Sequence, residues 1–205
     1  MEPTSTALIL IGFQNEYISP DGALHGYFKG VTELVANTID LVERLHSMPL
    51  LIVDTPVIFT PDYSELAEPT GILKAVKELG AFKEGTKGAE TIPEIRRFGE
   101  RIVEVPGKRG LNAFSNTELD ELLKRHGIRT VVLAGCKTSL CIDSTGRSAY
   151  DKGYKVVILS NCTAGTDEFE QKFYCEKIFP LYADVIDHER FLAQLEAEYE
   201  SARQQ

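Results

Sequence analysis

Short runs of β-branched and aliphatic residues alternate with longer amphipathic segments along this chain, and few folds tolerate that alternation. An apolar run too short for a helix, then a helical stripe, then another short run is the pattern of strand-helix-strand units. Parallel strands built this way need both faces of the sheet covered. The runs predict strands at 6–11, 56–60, 101–105, 130–135, 155–160 and 183–186. Between them, 32–45 places Leu34, Val35, Ile39, Val42 and Leu45 at helical spacing, and 116–125 does the same with Leu119, Leu122 and Leu123. Ser115, Asn116 and Thr117 each offer an oxygen to the free N–H groups of that second helix, which Gly127 ends; Gly153 ends the next. Residues 189–203 read as a charged C-terminal helix. Two runs compete for the second strand, Leu50 to Val53 and Val57 to Phe59, and the later one is preferred.

Composition narrows the class. With 205 residues, 43% of them hydrophobic, and no linker-like break, the chain fits one domain, 1–205, with a full-sized core. Its apolar runs are strand-sized and far short of the ~20 residues of a membrane span. Met1, Glu2 and Pro3 lack the basic and apolar regions of a secretion signal, so a cytoplasmic protein without a membrane partner is expected. A net charge of −9 argues against a nucleic-acid partner. Cys136, Cys141, Cys162 and Cys175 form no Cys-x-x-Cys pair and are expected to be reduced. His25, His46, His126 and His188 include no pair at ligand spacing, so no metal is expected. No glycine-rich fingerprint follows the first strand and no phosphate loop occurs, which argues against a nucleotide module; no organic cofactor is expected.

Three segments carry chemistry. After the fourth strand come Gly135, Cys136, Lys137, Thr138, Ser139, Leu140 and Cys141, with Ile142, Asp143, Ser144 and Thr145 continuing into a helix. A thiol in the first turn of a helix feels the partial positive charge of unpaired N–H groups, which favours the thiolate. Before that, Val105, Pro106, Gly107, Lys108, Arg109 and Gly110 lead into Leu111, Asn112, Ala113 and Phe114, offering a cation. The first strand runs into Gly12, Phe13, Gln14, Asn15, Glu16 and Tyr17.

From residue 6 to about residue 165 these segments resemble the isochorismatase-like cysteine hydrolases, which use an Asp-Lys-Cys triad. The resemblance also takes in 80–90 with Pro93 and Glu94, a stretch that shapes the site's rim. It implies a three-layer αβα, Rossmann-like fold with a six-stranded, mostly parallel sheet in the order 3-2-1-4-5-6, so that the first and fourth strands meet at the switch point where ligands bind. It implies Cys141 as nucleophile and Lys108 as its electrostatic partner. The Lys137 and Cys141 N–H groups would form the oxyanion hole beside a non-proline cis peptide at Cys136-Lys137. Phe13, Gln14, Tyr17, Asn112 and Phe114 would shape a small-molecule pocket, with Tyr27 and His25 nearby. Hydrolysis of a C–N bond in an amide, carbamoyl or imide compound is the implied reaction, and a homo-oligomer, dimer or tetramer, is the implied assembly.

The departures from that pattern are as informative. Gly12 stands where the family has its catalytic aspartate, and Asn112 stands where it has a serine. Ser64 replaces the histidine of the Asp-x-His metal motif found in the nicotinamidase branch. Glu16, Asp62 and Asp143 are the acids that could stand in, though none occupies the motif position. Removing the aspartate also leaves room beside the thiol for a larger ligand. The sequence therefore supports two expectations, a cysteine hydrolase with a substitute for the acid, or a catalytically impaired relative that binds a small molecule or protein partner.

Overall fold

Every residue of β1 (Thr6–Ile11) is buried, because this strand lies in the middle of the sheet with a parallel neighbour on each side. The computed structural model describes residues 1–203, with side chains described as far as Ser201. Its other strands are β2 (Leu51–Thr55), β3 (Val103–Glu104), β4 (Thr130–Cys136), β5 (Lys155–Ala164) and β6 (Asp184–Ile186). They pair in the order β3-β2-β1-β4-β5-β6, all parallel, as expected. The α-helices are α1 (Asn15–Ile18), α2 (Val31–Arg44), α3 (Gly71–Leu79), α4 (Pro93–Arg96), α5 (Leu119–Arg125), α6 (Asp143–Asp151), α7 (Glu168–Phe173) and α8 (His188–Arg203). Among the described residues no helix is long and apolar enough to cross a membrane.

Alternation along the strands divides the core into two layers. Leu8, Leu10, Ile52, Val132 and Val157 pack on one face against Leu34 and Leu41 of α2 and Phe191 and Leu195 of α8. Ala7, Ile9, Ile11, Val131 and Ile158 pack on the other against Leu119 and Leu123 of α5 and Ala149 of α6. In α2 the buried positions Leu34, Thr38, Leu41 and Val42 recur at helical spacing, with Glu33 in the first turn and Arg44 in the last, each charge complementing the helix dipole.

The second strand is the earlier of the two competing runs. Leu51–Thr55 pairs with β1 over its whole length, and the preferred segment 56–60 lies beyond the sheet. Pro56 has no N–H to extend the ladder. The later run forms isolated bridges instead, Val57 to Lys108 and Phe59 to Lys83. The fifth strand runs on to Ala164, past the expected 160, after a register shift opposite Leu133 and Gly135. The helix expected from 116 begins at Leu119 because Asn116 has a φ of +61° and cannot enter a right-handed helix.

Asp54 explains why β2 is hard to see, since a carboxyl inside a strand argues against one. It is buried, donated a hydrogen bond by Thr91 Oγ1 at 2.6 Å, and faces Glu104 across the β2–β3 ladder. Burial, together with the Glu104 charge, pushes its pKa up from 3.8 to about 7, against the lowering effect of Thr91. The folded protein thus holds a proton that the unfolded chain releases above about pH 4, so raising the pH through this window favours unfolding. Urea titrations should show the stability of the wild type relative to Asp54→Asn falling between about pH 4 and pH 7, by up to roughly 4 kcal/mol, and levelling above it. Parallel pH profiles for the two proteins would remove Asp54 as the cause.

Candidate active site

The site is assembled where β1 and β4 end side by side. Ile11 and Gly135 are register partners, and a Cβ on Gly135 would lie 1.8 Å from the Ile11 carbonyl oxygen, so only glycine permits the strands to approach so closely. The chain then passes through a cis peptide at Cys136-Lys137 into a π-helical turn, Thr138–Ile142, which continues directly as α6. Leu140 and Ile142 both donate their N–H groups to the Lys137 carbonyl at 3.1 Å. Cys141 therefore sits in the opening turn of a helical segment, 4% exposed.

Lys108 reaches the same place from the loop between β3 and α5. Its backbone bridges to Val57 and its carbonyl accepts the Ile58 N–H at 3.1 Å, so the extended 56–60 segment holds the lysine loop in place. Ala113 donates its N–H to Thr145 Oγ1 of α6 at 3.0 Å, tying the loop to the helix after the cysteine. The Lys108 side chain is 2% exposed, and its Nζ lies 2.6 Å from the Gly110 carbonyl oxygen and 3.8 Å from Cys141 Sγ. The other three thiols lie in surroundings that oppose ionisation. Burial raises Cys136, with Cys141 nearby adding to the rise, and pushes Cys162 to about 12 and Cys175 to about 11.

A cavity of about 380 Å³ opens over Cys141, with Tyr17, Tyr27, Lys137 and Thr166 among its walls. Burial holds the Tyr17 phenol well above its ordinary pKa, with Cys141, Cys136 and Glu16 contributing. Lys137 Nζ is 3.3 Å from Glu170 Oε2, a carboxylate that also accepts from the Thr166 N–H and hydroxyl. Burial alone would raise the Glu170 pKa, but hydrogen bonds from Ser139 and Thr166 and the Lys137 charge outweigh it and hold it below the usual range.

Of the five residues expected in the pocket, Tyr17 lines the cavity, whereas Phe13, Gln14, Asn112 and Phe114 do not. Phe13 is fully enclosed in the core. Gln14 is a clasp, donating to the Val57 and Ala89 carbonyls at 2.8 and 2.6 Å and accepting from the Val57 N–H at 2.9 Å. Asn112 Oδ1 accepts the Phe114 N–H within its own loop, and the Phe114 ring stacks on Tyr154. Lys137 does line the cavity.

None of the acids considered as stand-ins reaches the cavity wall. Glu16 Oε2 accepts the Ala23 N–H, Asp62 is exposed and accepts from Ser64, and Asp143 is engaged by Arg147 and Tyr182. His25 Nδ1 donates to the Ile18 carbonyl at the end of α1 at 2.9 Å, and also stays outside. The residues that sequence reading missed are those of α3, whose apolar positions Ile72, Ala75, Val76 and Leu79 follow helical spacing and could have revealed it. Among the described residues one group, Asp40, His188 and Glu189, has ligand-type atoms within 4.8 Å of one another. It joins α2 to α8, outside the cavity wall, and its His188 Nδ1 is already bonded to Asn161 while Arg44 pairs with Glu189.

Gly12 follows the end of β1 in a left-handed backbone conformation. Its φ is +75°, and a Cβ there would stand 2.6 Å from the Cys136 carbonyl oxygen, 3.1 Å from Cys136 Sγ and 3.3 Å from the Tyr17 ring. Cys136 and Tyr17 fill the space into which a side chain would project. The Cys136 thiol also donates to the Gly12 carbonyl at 3.3 Å.

Residues 6–190 match the family model for the isochorismatase domain, and the chain belongs to the isochorismatase family. It is 29% identical over 162 residues to nicotinamidase 3 of Arabidopsis thaliana, covering 79% of this chain and 74% of that protein. It is 28% identical over 190 residues to maleamate amidohydrolase of Pseudomonas putida, covering 92% of this chain and 86% of that protein. Among solved structures, a cysteine hydrolase from Pseudomonas syringae pv. phaseolicola superposes with a TM-score of 0.85 at 22% identity, covering 97% of this chain and 96% of that one.

Because Gly12 combines a left-handed backbone with a crowded surround, restoring a side chain there should cost stability. Gly12→Ala is expected to lose at least about 1–2 kcal/mol in urea unfolding, and Gly12→Asp should lose as much without gaining activity. An aspartate variant as stable as the wild type and faster in turnover would show that the loop relaxes freely.

Proposed function

We propose that this protein hydrolyses a C–N bond of a small amide through Cys141, with Lys108 serving both as charge partner and as proton carrier in place of the missing acid. The observation that carries this reading is the 3.8 Å contact between Lys108 Nζ and a Cys141 sulfur that borders the cavity. In this scheme the sulfur attacks as thiolate and adds to the carbonyl carbon. As the tetrahedral intermediate collapses, the C–N bond breaks and the leaving nitrogen takes a proton from the Lys108 ammonium, leaving a thioester. The now neutral Lys108 amine takes a proton from an incoming water, whose oxygen displaces the sulfur, restoring the starting ion pair and giving a carboxylic acid whose proton passes to the released amine, so that carboxylate and ammonium leave. The Lys137 and Cys141 N–H groups are assigned to the developing oxyanion.

Positioned acid-base groups are typically worth about 10²- to 10⁴-fold, so a lysine doing an aspartate's work implies slow turnover. The matched nicotinamidase and maleamate amidohydrolase make amide hydrolysis the reaction to test first. A second reading, a binding protein without turnover, is favoured by the one feature that departs furthest from the family pattern, the closed space around Gly12.

Amine release from a panel of primary amides by wild type, Cys141→Ala and Lys108→Met distinguishes the two. The proposal expects slow multiple turnover by the wild type and a loss of at least about 100-fold in each variant. Undiminished turnover by Cys141→Ala would exclude the cysteine mechanism. Amide binding with no turnover by any of the three would establish the second reading.

A further inference from the structure

We infer that the ligand of this cavity is an uncharged amide whose remaining part is an extended apolar group, so that an alkyl or aryl chain rather than a carboxylate or a polar ring supplies the recognition. The inference rests on the hydrolase reading for the position of the amide at Cys141, and on the cavity wall for everything else.

An amphipathic helix ordinarily spends its apolar stripe on the core. In α3 the stripe is shared with the cavity, which Ile72, Leu73, Ala75 and Val76 line, while Val76 and Leu73 also pack into the core. The rest of the wall includes Leu24 and Phe28 from the segment after α1, Phe59, Phe82, Leu111 and Leu140. Such a wall rewards apolar surface and penalises a buried charge.

The charges around it point the same way. Lys137 is the one formally charged side chain on the described wall, and its ammonium is held 3.3 Å from Glu170 Oε2. An anionic substrate would have to compete with Glu170 for that cation. A cationic substrate would meet no carboxylate on this wall, since among the described residues no Asp or Glu lines the cavity. The polar groups that remain, the Tyr17 and Tyr27 phenols and the Thr166 hydroxyl, suit a neutral amide head near Cys141. At about 380 Å³ the space exceeds what the amide group alone would fill, and the surplus is apolar.

The test uses the full chain in two arms. In the first, propanamide to octanamide, nicotinamide and maleamate are titrated into Cys141→Ala by calorimetry, so that binding is read without turnover. In the second, ammonia release from the same compounds is measured with the wild type. Affinity should rise up to about fourfold per added methylene until the cavity is full, and maleamate should bind more weakly than hexanamide. Ile72→Asp, at a half-buried wall position, should abolish the gain with chain length. Affinity that is flat or falls with chain length, tighter binding of maleamate, or no binding of octanamide would overturn the inference. A chain-length gain that survives in folded Ile72→Asp would overturn it as well. Rising affinity without ammonia release by the wild type would instead support this assignment of the ligand and refute the hydrolase reading.

Discussion

An ammonium group removed from water costs several kcal/mol unless something nearby carries compensating charge or accepts its protons. Lys108 is in that position, almost fully enclosed, with the Gly110 carbonyl at 2.6 Å and the Cys141 sulfur at 3.8 Å. Among the described residues no carboxylate pairs with it. In the proposed account the sulfur supplies the missing negative charge, and the same pairing that makes the lysine tolerable keeps the thiol ready to attack. Several local features serve this contact. Gly135 lets β4 close on β1, the π-helical turn sets the cysteine at the mouth of α6, and Val57 and Ile58 hold the lysine loop by its backbone.

Gly12 then takes on a different meaning. Its left-handed backbone and the atoms of Cys136 and Tyr17 around it leave a side chain at this position strained and crowded. The remaining polar residues of the first motif are committed to architecture, Gln14 clasping Val57 and Ala89, Asn15 holding the Lys87 carbonyl and Glu16 capping the turn at Ala23. In the proposed account acid chemistry comes from the lysine, and discrimination from the apolar wall to which α3 and several aromatic residues contribute.

Periodicity made most of the elements legible, because buried parallel strands and amphipathic helices leave different repeats, and the sheet order came from the family resemblance. Periodicity failed at β2, where a carboxyl whose pKa is raised by burial and by the Glu104 charge sits in the strand while the more strand-like run beyond Pro56 serves as a brace for Lys108. Motif spacing located Cys141 and Lys108, which the fold brings together. It placed Phe13, Gln14, Asn112 and Phe114 in the pocket, and none of the four lines this cavity, since adjacency to a motif in sequence does not decide whether a side chain faces the cavity or the core. The wall of the cavity was invisible for a related reason. Its members come from six separate stretches of chain, and only the fold assembles them.

Site-resolved alkylation of the cysteines, in wild type and Lys108→Met at one neutral pH, tests the central contact directly. Cys175 serves as the internal reference because it is the most exposed of the four thiols. The account predicts that Cys141 is labelled fastest in the wild type despite its burial, and that Lys108→Met slows it at least about tenfold while Cys175 keeps its rate. Labelling of Cys141 that is no faster than that of Cys175, or that ignores the loss of Lys108, would contradict it.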